Sequence, residues 1–211
     1  MAECFETSDS QHGHGGVGSA IGDLAARLWH SSNMCPKDQE TGKALPVDLP
    51  SVNLAADGEQ IISATERKIT VVSTSGHRSI DATIHLPDNY DANNKYPVVL
   101  AVHGLAGSAD DIYERGGFEA MRQAGSIIVA PEALRGPVFA RSWQSPTENI
   151  TVLHNGSDAR GQKIDDVKGI IDVLAAVKKH YSIDQNNVNL FGFSQGFGKW
   201  ILVNHVLYKG K

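Results

Sequence analysis

The chain has 211 residues, 41% hydrophobic and 20% charged, with a formal net charge of −5. That length fits one domain with a real core and is short for a large α/β enzyme. Lys and Arg are scattered, which leaves out the basic footprint of a nucleic-acid binder and the polybasic patch that anionic lipid attracts. No apolar run approaches the length of a membrane span, so no membrane partner is expected.

Residues 1–60 are rich in Gly, Ser, His and Pro and read as an N-terminal extension, partly irregular and lid-like, with one helical patch, "AIGDLAARLW". The opening "MAECFETSDSQHGHGG" has neither a basic n-region nor an apolar h-region. No signal peptide is visible, and the expected location is cytoplasmic by default. Cys4 and Cys35 both fall here and leave the redox compartment and their own pairing open. "GHGGVG", residues 13–18, matches Gly-x-Gly-x-x-Gly, but no strand precedes it, which argues against a dinucleotide site. His12 and His14 lack nearby acids or cysteines, so no metal site is assigned to them.

From about Glu66 the pattern sharpens. "RKITVVST" and "RSIDATIHL" are strand-like runs joined by Ser-Gly-His, a hairpin signal. "YPVVLAVHG" is a dense apolar run ending at Gly104, as expected of a strand buried on both faces. A helical stretch runs through "FEAMRQAG", followed by a strand in "SIIVAPE" and a long polar loop over 134–160. Two sequons, at Asn149 and Asn155, lie in that loop and matter only in a secreted protein. "KIDDVKGIIDVLAAVKKHY" (163–181) is a helix with Ile164, Val167, Ile171 and Leu174 on one face, acids at its start and Lys178, Lys179 and His180 at its end. "NVNLFGF" is the last strand. Strands alternating with helices predict an α/β fold: a mostly parallel sheet flanked by helices, with an antiparallel hairpin at its start. Parallel strands are expected near 97–102, 126–130 and 188–191.

Chemistry concentrates in "NLFGFSQGFGKW". A strand, then Gly192-Phe193-Ser194-Gln195-Gly196, then a helix is the setting a nucleophile elbow requires. Side chains at Gly192 and Gly196 would clash with strand and helix, and the helix N-terminus favours a developing oxyanion. Such a site uses two backbone N–H donors, one from the residue after the nucleophile and one from the loop after the third strand. The candidates are Gln195 and, in "AVHGLAGSADDI", Leu105. His103 at that loop reads as a brace rather than a base.

With both motifs in view, residues 69–196 resemble the α/β-hydrolase superfamily, and most of all its esterase branch of polyhydroxybutyrate depolymerases and feruloyl esterases. The resemblance lies in "IHLPDNYDANNKYPVVLAVHGLAGSADDI", in Ser142-Trp143 and in "KIDDVKGIIDVLAAVKKHYSIDQNNVNLFGFSQG". "GFSQG" is also similar to acyl-protein thioesterases and bacterial carboxylesterases. The resemblance implies a serine carboxylic ester hydrolase working through an acyl-enzyme, with Ser194 as catalytic nucleophile and Gln195 and Leu105 as oxyanion donors. It further implies Trp143 in the acyl or leaving-group pocket, with His103 beside it, a small-molecule or polymeric ester as partner, and no metal or organic cofactor. Residues 61–211 would then form a partial α/β-hydrolase domain.

The superfamily places its acid and histidine after the serine. Here no Asp or Glu follows Ser194, and the one histidine, His205, falls on the elbow helix, which points away from the serine. The strands carrying the acid and base are expected to be missing. Gly198-Lys199-Trp200 can be encoded by GGT AAG TGG, which contains a splice-donor consensus, so the tail reads as translated intron, with a frameshift as the competing account. Two function classes follow. One is a serine esterase; the other is a catalytically incomplete fragment or pseudoenzyme retaining ligand binding. A sheet ending at its elbow strand is also expected to expose an apolar edge and to self-associate through it.

Overall fold

The computed structural model describes residues 58–72, 79–135, 141–143 and 164–207. The expectations for the 1–57 extension, for Cys4 and Cys35, for the glycine motif with its two histidines and for the sequons lie outside the described residues.

Among the described residues eight strands and four helices follow one another. They are β1 (Glu59–Ile61), β2 (Glu66–Val72), β3 (Ser79–His85), β4 (Tyr96–Val102), α1 (Ala109–Arg115), α2 (Phe118–Gln123), β5 (Ile127–Pro131), β6 (Leu134–Arg135), β7 (Arg141–Ser142), α3 (Asp166–His180), β8 (Ile183–Gly192) and α4 (Gln195–Leu207). Six strands form one sheet in the order β1-β2-β3-β5-β4-β8. The sheet is mixed. β2 and β3 pair antiparallel as the hairpin pattern predicts, and β1 and β5 extend that antiparallel half. β4 pairs parallel with both β5 and β8. The expected parallel trio is therefore present, while the expectation of a mostly parallel sheet holds only for that half. Strands joined by short loops run antiparallel, whereas parallel neighbours need a crossover. β1 was not anticipated and straddles the boundary drawn at residue 60. The stretch read as one polar loop also differs, because β6 and β7 pair as a two-stranded ladder inside it.

β4 shows why this sequence builds a sheet with helices on both faces. Its apolar run has no polar alternation, so each face is buried. Val98, Leu100 and Val102 point into one core with Ile127, Val129 and residues of α3 such as Ile170 and Leu174. Val99 and Ala101 point the other way, onto Ile128, Phe191, Ile112 of α1 and Phe118 of α2. The Phe118 and Phe191 rings meet edge to face at 5.0 Å, in the geometry their quadrupoles favour. The helical stretch after the loop is broken in two at Gly116-Gly117, where Gly117 takes φ +68. A Cβ on Gly116 would stand 2.3 Å from the Phe118 ring. α3 is capped by Asp165, whose carboxylate accepts from Lys168 N. Its buried surface is wider than the single predicted face and takes in Asp166 and Asp172 as well as Val167, Ile171 and Leu174, while the buried Ile164 precedes the cap. At the outer side of β4, the β8 side chains Val188, Leu190 and Phe191 are each 2% exposed. β8 is an edge strand of the six-stranded sheet.

A polar cluster joins β3 to α1 and α2. Arg122 grips Glu119 with two hydrogen bonds, of 2.8 and 2.7 Å, and donates to Asp88 at 2.6 Å and to Leu86 O at 3.0 Å. Arg122 first, then the Tyr113 hydroxyl, hold the Glu119 carboxyl down at about 2. His85 lies stacked on Tyr113 with ring centroids 3.5 Å apart, and its buried Nε2 has no partner among the described residues. Burial lowers the His85 pKa from 6.5 to about 4, against the pull of Asp110 and Glu119 and with the push of Arg122 and Lys68. The unfolded chain therefore binds the extra proton between those two values. The contribution of neutral His85 is full above pH 6.5 and is lost as the pH falls toward 4. By linkage the loss approaches about 3 kcal/mol at the acid end. His85→Phe keeps the stack and removes the titration. Between pH 7 and about pH 4.5 the variant is expected to lose about 2 kcal/mol less stability than the wild type in urea melts. Parallel loss in both proteins would refute it.

Candidate active site

The turn after β8 carries the site. Ser194 takes φ +52, a left-handed conformation that a residue with a Cβ adopts only under constraint. Its surroundings supply that constraint. Phe193 N donates to Val102 O at 3.0 Å, tying the turn to the end of β4. Gly196 N donates to Phe193 O at 2.8 Å and Phe197 N to Ser194 O at 3.0 Å, opening α4 directly after the serine. Both flanking glycines are sterically required. A Cβ on Gly192 would lie 2.5 Å from Gly196 O, and one on Gly196 would lie 2.2 Å from Val102 O. Ser194 is left exposed at the top of the turn.

Facing it is the loop after β4. A Cβ on Gly104 would stand 3.1 Å from Ser194 Cβ, so the backbone preceding Leu105 lies directly against the serine. Gly107 N donates to Gly104 O at 3.1 Å, and Ala106, at φ +61, donates its N–H to Arg141 O at 2.8 Å. Ser108 then caps α1, its Oγ accepting from Asp111 N at 3.0 Å. Neither Leu105 N–H nor Gln195 N–H donates a hydrogen bond among the described residues.

His103 is 1% exposed and both its ring nitrogens are engaged. Nε2 accepts from Ala133 N at 3.1 Å, which leaves the proton on Nδ1, 2.7 Å from Gly104 O. The ring borders the cleft but has no free nitrogen for a substrate. The brace role expected of His103 accords with these two bonds, and the ring also lines the cleft.

Trp143 packs beside His103. It is 1% exposed, its Nε1 donates to His103 O at 2.7 Å, and its ring lies 4.9 Å from the His103 ring. Its backbone N donates to Gln195 Oε1 at 3.0 Å, and Gln195 Nε2 reaches Ser142 Oγ at 3.1 Å and Trp143 O at 3.3 Å. Its buried ring and paired N–H tie it into the loop. Residues 141–143 thus clasp the Ser194 turn, through Gln195, to the Gly104 loop, through His103 and Ala106.

A cleft of about 720 Å³ opens on the loop side, lined by Gly104, Leu105, Ile112, Arg115 and Phe193 among others. Leu105 is 49% and Phe193 45% exposed, so two large apolar side chains flank the serine. Sequence reading missed Glu132, Arg141 and the side-chain role of Gln195. Their only signal was an acid placed just after a buried strand. His205 lies in α4, and its side chain is outside the described residues.

Residues 73–198, more than half of the chain, match the Esterase family, described as "Putative esterase". Over 122 residues the chain is 27% identical to the Aspergillus niger protein named "Probable feruloyl esterase C", covering 55% of this chain and 37% of that protein. It is 26% identical over 178 residues to dipeptidyl-peptidase 5 of Porphyromonas gingivalis, covering 76% of this chain and 24% of that protein. Among solved structures, an S-formylglutathione hydrolase from Agrobacterium tumefaciens superposes with a TM-score of 0.49 at 16% identity, over 73% of this chain and 56% of that one. The chain spans well under half the length of these curated relatives.

The turn predicts two opposite glycine effects. Ser194→Gly relieves a left-handed Cβ and should exceed Ser194→Ala in stability by about 1 kcal/mol. Gly196→Ala drives a methyl into backbone, which cannot yield as a side-chain tip would, and should destabilise by about 3 kcal/mol. Chemical denaturation of the three variants checks both, and equal stability of the two Ser194 variants would remove the case for strain.

Proposed function

The chain belongs to the Esterase family, and on that premise we propose that it acts as a carboxylic ester hydrolase of the serine type, with Ser194 as nucleophile. The observation that carries this reading is Ser194 itself: exposed, at φ +52, between a buried strand and a helix N-terminus, and packed against Gly104. An ester carbonyl entering from the cleft meets Oγ on one side and the N–H groups of Leu105 and Gln195 on another. Attack forms the Oγ–C bond and breaks the Oγ–H bond, the proton passing to solvent water as the carbonyl π pair moves onto oxygen. The two N–H groups then stabilise that oxyanion, where each donor is worth about 3 kcal/mol. Collapse expels the alcohol, which takes up a proton, and water cleaves the acyl-enzyme to acid and free serine. The apolar flank of Leu105 and Phe193 suits a hydrophobic ester, small or as the side group of a polymer.

The attacking hydroxyl must give up its proton, and a serine without a base is a poor nucleophile. His103 is committed at both nitrogens, and no side chain among the described residues hydrogen-bonds Ser194 Oγ. With no base among the described residues, the proposal includes slow turnover by these 211 residues, drawing on the oxyanion site and binding. Hydrolysis of p-nitrophenyl acetate is expected only slightly above background, and phosphonylation by a fluorophosphonate should be slow, located at Ser194 by mass spectrometry and absent in Ser194→Ala. Label on another residue, or turnover that survives Ser194→Ala, would end the serine reading. Fast Ser194-dependent turnover would instead show that a base reaches the serine from outside the described residues.

A further inference from the structure

Glu132 follows β5 and lies behind the loop that faces Ser194. Its backbone N is fixed by Asp81 O at 2.7 Å, so the carboxylate projects from an anchored strand end. Oε2 accepts from Ala109 N, the first residue of α1, at 3.2 Å. Oε1 lies 2.8 Å from Arg141 Nε and 3.2 Å from His103 Nε2. One carboxylate thus touches both ends of the 103–109 loop. Through Arg141 it also reaches the middle, since Arg141 O accepts from Ala106 N at 2.8 Å. Ala106 needs such a hold, because its φ of +61 is unfavourable for a residue with a Cβ. The buried Oε1 has close nitrogens but no well-directed hydrogen bond, and His103 Nε2 presents it with a lone pair, already used by Ala133 N. The Arg141 cation is what makes that oxygen tolerable there.

We infer that Glu132 is a positioning residue for the oxyanion site: with Arg141 it sets the place of the Leu105 N–H relative to Ser194 without touching the substrate. The inference rests on the serine-esterase reading above. Its consequence is separable from simple fold support. Loss of the Glu132 charge should loosen the loop while the core stays intact, and should slow the step that builds an oxyanion while leaving probe binding alone.

The test uses the 211-residue chain, Glu132→Gln and Arg141→Met. Gln keeps the volume and an acceptor for Ala109 N; Met keeps the backbone carbonyl that holds Ala106. Two readouts are taken: amide exchange at Ala106 and Gly107 against α3, and the Ser194 phosphonylation rate resolved into a maximal rate and a probe affinity. Either variant should speed exchange at Ala106 and Gly107 with α3 unchanged. Each should lower the maximal phosphonylation rate by about tenfold at unchanged probe affinity, and the double variant should be no slower than the singles. Unchanged exchange at Ala106 would overturn the inference whatever the chemistry does. So would faster exchange with an unchanged maximal rate. If Glu132→Gln fails to fold, shown by α3 exchanging freely, Arg141→Met decides by the same two readouts. A wild-type chain not labelled at Ser194, yet with a loop loosened in the variants, would overturn the serine reading and take the catalytic role of Glu132 with it.

Discussion

Helix α4 sits on the end of β4 at a distance only a hydrogen atom tolerates. Gly196 meets Val102 O and His103 O so closely that any Cβ would overlap the backbone. The close approach leaves no room for a relaxed turn between β8 and α4. Ser194 accordingly takes the left-handed conformation, and Phe193 N closes the gap by bonding Val102 O. The last carbonyl of β4 and the one after it are shared out among the parts of the site: Val102 O holds the turn, and His103 O holds Trp143 Nε1. Strand end, serine turn and loop are thereby set by one contact.

Two non-glycine residues with positive φ, Ala106 and Ser194, lie on the two facing segments. Strain of that kind costs about 1–3 kcal/mol per residue and persists only where surroundings over-determine it. Here the determination is mutual. Ala106 is held through residue 141, residues 142 and 143 are held by the Gln195 side chain, and Gln195 follows Ser194. Behind both segments stands β4, buried on both faces, which gives the clasp a rigid base to pull against. A site built on a loop alone would relax instead.

What was legible in the sequence was local. The elbow announced itself because two glycines, a preceding apolar strand and a following helix lie within a dozen residues, and each reports a steric demand of the same turn. The strand β4 was legible because an unbroken apolar run admits few other fates. The clasp was not legible. Trp143 meets His103 across 40 residues and Gln195 across 52, and Glu132 meets Ala109 across 23. Such pairings carry no periodicity, and an aromatic in a polar stretch looks like a pocket wall until its N–H is seen bonded inside. The parallel bias of the sheet was overestimated for a related reason, since strand pairing past a hairpin is a long-range choice. The α3 face was drawn too narrow because helical spacing registers the stripe against the sheet and not the packing on its other sides.

The hydrogen-bond pattern also says why a histidine beside the serine need not be its base. Gly104 C=O and Leu105 N–H belong to one peptide group. That carbonyl accepts from Gly107 N at 3.1 Å and lies 2.7 Å from the protonated His103 Nδ1. Electron density drawn toward an oxygen that accepts two hydrogen bonds leaves the N–H of the same peptide more positive, a cooperative strengthening of about 10–30% per bond. Ser194 C=O and Gln195 N–H form the second such peptide, and its carbonyl accepts from Phe197 N at 3.0 Å. In both cases the N–H proposed as an oxyanion donor belongs to a peptide polarised from behind. With Nε2 accepting from Ala133 N–H, the His103 ring turns its Nδ1–H onto Gly104 O, on the far side of the same peptide from the Leu105 N–H.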